Sequence, residues 1–66
     1  MKFKEQDIVI LLKDYSAHGV PKGSEGWVIE TLDNPGEGYL VEFFDSDNYP
    51  TEVLALPPDE IELRTK

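Results

Sequence analysis

His18 is the only imidazole in the chain and stands between Ala17 and Gly19. A general base needs a group within hydrogen-bond reach, and the neighbouring sequence specifies none, so the residue reads as a solvated loop histidine. Ser16, Ser24 and Ser46 lie in turn-like stretches without the glycines of a nucleophile elbow. The absence of cysteine excludes a thiol nucleophile, a disulfide scaffold and a thiolate metal cluster. Asp45-Ser46-Asp47-Asn48 opens like a calcium loop. However, Tyr49 occupies the third ligand position, Pro50 the obligatory glycine position and Leu56 the closing glutamate position. A polar hairpin turn is the better reading. The expectation is a protein that is not an enzyme and holds no cofactor or metal.

Charge is more informative than any catalytic motif. Six basic and fourteen acidic side chains leave a formal net charge of −8 over 66 residues. From Ser24 to Leu63 there are 40 residues without a lysine or arginine, and the same stretch carries eleven acids. Such a surface repels phosphate backbones, so nucleic-acid binding is not expected. It favours solubility, and it also attracts a basic partner over long range. The longest apolar run, Ile8 to Leu12, is too short to cross a bilayer. Met1-Lys2-Phe3-Lys4-Glu5 does not read as a signal peptide. The expectation is therefore a cytoplasmic protein without membrane contact.

The elements that must position these charges are short. Helix-period stripes are absent, and β-branched and aromatic runs recur between Gly, Pro, Asn and Asp. Strands are predicted at 7–12, 25–33, 39–44, 51–56 and 61–63. The twelve-residue connection 13–24 contains Gly19, Pro21 and Gly23, and its length predicts a loop folded back over the barrel mouth. Pro35 fixes φ in the second turn, where Gly36 can supply a positive φ. Pro57 and Pro58 exclude a strand interior and suit one helical turn before the last strand.

Together these elements describe one all-β domain over residues 1–66, a five-stranded SH3-like barrel with a long first loop and a short 3-10 turn before the last strand. An open OB-type sheet is the alternative. Val9, Leu11, Val28, Val41, Phe43, Leu56 and Ile61 are the predicted interior. Val28 and Ile29 cannot both face inward without a bend or bulge. Gly26 fits there because a glycine lets another backbone approach closely.

Among the aromatics, Phe43 is expected in the core, whereas Tyr15 and Tyr49 could flank a surface groove. Tyrosine and tryptophan offer large contact area at low entropic cost. The first loop lacks the Ala-Leu-Tyr-Asp-Tyr signature of signalling SH3 domains, and the paired tryptophans after their second hairpin are missing too. Polyproline recognition is therefore disfavoured. An aromatic cage for a cation is chemically available, but no spacing requires it.

Four segments carry a family resemblance: Asp7 to Asp14, Lys22 to Glu30, Tyr39 to Phe43 and Leu56 to Ile61. Through them the chain resembles a family of small, stand-alone bacterial SH3-like barrels, common in cyanobacteria and described only as a domain of unknown function. The Gly23 to Glu30 segment also resembles the strand-turn-strand element of ribosomal KOW barrels. The overall layout is similar to a small photosystem subunit with an SH3-like fold. The family resemblance implies a protein encoded beside a second small protein. For an acidic domain, that arrangement implies an antitoxin or immunity-type inhibitor of a basic target, such as a toxin or nuclease.

The expected function is acidic protein binding. Glu30, Glu42, Asp45, Asp47 and Glu52 would steer the encounter with a basic partner, and Trp27 and Tyr49 would anchor it. The competing expectation is an accessory subunit that caps a larger assembly through an apolar patch containing Leu40 and Phe44. An enzyme would need a pocket around His18.

Overall fold

A computed structural model describes residues 2–65. Five strands form one antiparallel sheet: β1 (Ile8–Leu11), β2 (Glu25–Leu32), β3 (Gly38–Phe44), β4 (Pro50–Leu56) and β5 (Ile61–Leu63). Their order across the sheet is β4-β3-β2-β1-β5. A 3-10 turn at Pro58–Glu60 precedes β5, where the two prolines predict it. This is the all-β, barrel-like layout that the sequence predicts, and no strand limit moves by more than one residue. The sheet curls around its core without a ladder between β4 and β5, so two strand edges remain where full closure would leave none.

Alternation decides which side chains fill the interior. Val9, Leu11, Val28, Val41, Phe43, Leu56 and Ile61 are all buried, and Phe3, Val20 and Tyr39 join them. Each such side chain is worth about 1.5–3 kcal/mol on leaving water. On β2, Val28 pairs with Val41, but Glu30 pairs with Leu40, so Ile29 is the extra residue of a bulge. Val28 thereby stays inside while Ile29 is exposed. A second bulge lies on β4, because Phe43 faces Glu52 and Phe44 faces Pro50, leaving Thr51 over.

Gly26 does admit a close approach, but from side chains and not from backbone. A Cβ built there would lie 2.5 Å from Val41 Cγ1 and 2.9 Å from two ring carbons of Phe43. Gly36 does not use the positive φ open to it, and the turn contains a cis Asn34–Pro35 peptide.

The long first connection is more ordered than its composition implies. Tyr15 and Val20 form a β-bridge around a 3-10 turn at Ser16–His18. Gly19, at φ 77°, ends that turn in the left-handed region that glycine tolerates best. The turn delivers Val20 into the core, which is the fold-back that the length of this connection predicts. Within the same core cluster, the Phe3 ring packs edge-on to Tyr39 at 5.2 Å. The Tyr39 hydroxyl accepts the Lys2 and Phe3 amides at 2.8 and 3.1 Å and donates to the Glu37 carboxylate.

Candidate docking face

Register places a mixed apolar and acidic row on the outer face of the sheet. Ile8 on β1 lies beside Trp27 on β2, Trp27 beside Glu42 on β3, and Glu42 beside Val53 on β4. Directly paired side chains of this kind lie close enough to act as one surface. In the next row, Glu30 on β2 lies beside Leu40, and Leu40 beside Ala55. Ile29 and Val53 are both exposed, and Trp27 is 50% exposed. The Trp27 ring meets Phe44 edge-on at 5.8 Å, which holds the indole in place while leaving half of it bare.

The seven residues expected to contact a partner do not all gather here. Trp27, Glu30 and Glu42 share the outer face. Asp45 and Asp47 lie in the adjoining β3–β4 turn. There the Asp45 Oδ1 accepts the Asp47 amide at 2.8 Å and the Tyr49 amide at 3.0 Å, so this carboxylate shapes the turn as well as charging it. Tyr49 is 69% exposed but does not line the groove beside Trp27. Glu52 pairs opposite buried Phe43, on the parity of the inner face, and lies 3.4 Å from His18 Nδ1. Its position could have been read from the sequence, because Glu52 alternates in step with Leu54 and Leu56. Tyr15, suggested as a groove flank, instead donates from its hydroxyl to Glu60 at 2.6 Å and packs against the core.

Ion pairing sorts the acids into committed and available. Lys4 sits 3.3 Å from Asp7, Lys13 3.5 Å from Glu60, and Arg64 3.1 Å from Glu25. Among the described residues, none of these cations pairs with Glu30, Glu42 or Asp47. The cation of each pair reaches solvent, and solvent-screened pairs contribute roughly 0–1 kcal/mol each. The outer face therefore presents uncompensated carboxylates among apolar side chains.

An open groove of about 570 Å³ borders this face. Ile8, Trp27 and Phe44 form apolar walls, Glu25 and Asp45 supply carboxylates, and Ser24, Gly26 and Asn48 complete the lining. Phe44 belongs to the apolar patch expected for an accessory subunit, whereas Ile8 and Glu25 were not singled out from the sequence as contact residues. The groups with altered proton affinity lie elsewhere. The Tyr39 hydroxyl and an Lys2 amide hold the Glu37 carboxyl below its ordinary range. Burial, reinforced by Glu37, raises the Tyr39 phenol, and the hydrogen bond to Glu60 raises Tyr15. These shifts accompany structural clamps.

No helix among the described residues is long and apolar enough to cross a membrane. Among the described residues, no three His, Asp or Glu side chains converge as a metal site. Neither the curated proteins nor the solved structures contain a significant match to this chain. Residues 5–63, which include all five strands and both faces described above, match one sequence family, and the chain belongs to it: the domain of unknown function DUF4926.

Proposed function

We propose that the protein is a non-enzymatic binding module that docks its outer sheet face onto a basic partner protein. The observation that carries this reading is the row Ile8–Trp27–Glu42–Val53, in which a carboxylate without a cation among the described residues sits between exposed apolar side chains. Charge brings the partner in, and desolvation of Trp27 holds it. Glu30 and Glu42 carry the charge, with Asp45 and Asp47 at the margin; Glu52 and Tyr49 contribute less. In an antitoxin or immunity-type setting the partner is a toxin, and for a nuclease the carboxylates would stand where substrate phosphates bind.

A second reading, an accessory subunit of a larger complex, draws support from the apolar members of the same face, Leu40, Phe44 and Val53. Salt separates the two. Screening shortens the reach of exposed charges from about 8 Å at physiological ionic strength to about 3 Å at 1 M. The test is capture of the native partner by wild type, by a Trp27→Ala/Glu42→Gln double variant, and by Asp59→Asn as an off-face control. Capture of a basic protein that fades with salt and is lost only in the double variant supports the proposal. Salt-tolerant capture favours the accessory subunit, and capture indifferent to the double variant refutes the face.

A further inference from the structure

We infer that the groove between Trp27 and the 45–48 turn receives one arginine side chain of the partner protein. This rests on the docking-face reading and narrows it to a single contact. The walls suit a guanidinium better than an ammonium. Trp27 offers a half-bare indole held from one side by Phe44, a surface on which a planar cation stacks. Ile8 supplies an apolar wall for the methylene stem.

The charged groups of the lining are both carboxylates, Glu25 and Asp45. Asp45 spends Oδ1 on the turn amides, and no hydrogen bond occupies its Oδ2 among the described residues. Glu25 already holds one guanidinium, because Arg64 donates to its Oε1 at 3.1 Å from the adjoining edge. The chain's own arginine thus satisfies part of the site, and an incoming arginine competes with it for Glu25.

The probe is a blocked glycyl-arginyl-glycine peptide, with glycyl-lysyl-glycine as its comparison. Trp27 is the single tryptophan, so its indole N–H gives one assignable resonance at the groove wall. A saturable shift with the arginine peptide, reached at lower concentration than with the lysine peptide, is expected. Glu25→Gln and Asp45→Asn should each weaken it about two- to fivefold, the range for exposed ion pairs; asparagine keeps the oxygen that the turn amides require.

Arg64→Ala should tighten binding by freeing Glu25. Lys13→Ala changes net charge equally on the Glu60 side and should not alter the response. No saturable shift, equal binding of the lysine peptide, or indifference to Arg64→Ala overturns the inference. If the peptide fails while partner capture still depends on Trp27 and Glu42, the arginine receptor is wrong and the docking face stands. If the peptide binds while capture ignores that face, the receptor stands and the docking face is wrong.

Discussion

Replacing Gly26 with alanine tests both the packing of the barrel and the placement of its docking face. The new Cβ would fall 2.5 Å from Val41 Cγ1 and 2.9 Å from two carbons of the Phe43 ring. Neither neighbour has room to retreat, since Val41 and Phe43 are 0% and 1% exposed. The backbone is pinned as well, with Val9 paired on one side of Gly26 and Phe43 on the other. Overpacking of this kind costs about 1–3 kcal/mol.

Alanine also restricts the unfolded chain, which returns roughly 0.4–1 kcal/mol. The steric term wins, and a net loss of about 1–2 kcal/mol lowers Tm by roughly 5–15 °C in a domain this small. Thermal unfolding followed by circular dichroism reads the shift. The matched control is Gly36→Ala, where a Cβ meets nothing within 4 Å, so Tm should hold or rise slightly. A Gly26→Ala protein as stable as wild type would refute the packing argument, and with it the assigned register of β2 against β3.

Tyr39→Phe removes the acceptor of the Lys2 and Phe3 amides, and leaving the buried Phe3 amide unpaired should cost about 1–3 kcal/mol in urea unfolding. The pH dependence of stability should follow the same clamp. Glu37 is depressed on folding, so its contribution is complete above the ordinary carboxylate range and disappears as pH falls through the depressed value. Tyr39 is raised, so its contribution is complete below the ordinary phenol value and is lost as pH climbs beyond about 10. Glu37→Gln should flatten the acid limb, and Tyr39→Phe the alkaline one. His18→Ala should change the urea midpoint little, because the His18–Glu52 pair is reached by solvent from both sides and surface pairs are worth about 0–1 kcal/mol.

Strands and core were largely legible in the sequence because a two-residue period exposes its own inward side. Tyr39, Val41 and Phe43 alternate with Leu40, Glu42 and Phe44, and the fold uses that alternation directly. The bulge at Ile29 was signalled by two adjacent β-branched residues competing for one face. Val20 was less visible, since a lone valine in a Gly- and Pro-rich loop has no periodicity to reveal its burial. Phe3 precedes the first strand and is held by Tyr39, 36 residues away, so no local pattern could locate it.

The docking face was half legible for the same reason. Trp27 and Glu42 follow from parity, Glu30 joins their face only through the bulge at Ile29, and the pairing of Glu52 with His18 depends on the loop folding back. Lining up Ile8 with Trp27 requires the β1–β2 register, which composition does not determine.

The connectivity also governs when this protein can fold during synthesis. β1 is flanked by β2 and by β5, so the first strand of the sheet waits for the fifth, Ile61–Leu63. Tyr15 likewise waits for Glu60, and Glu25 for Arg64. A nascent chain stopped before residue 61 has no partner for the outer edge of β1, and loop-closure entropy opposes contacts made at such separation. The sheet therefore completes only once β5 has emerged from the ribosome, and the outer edge of β1 is the last to be paired.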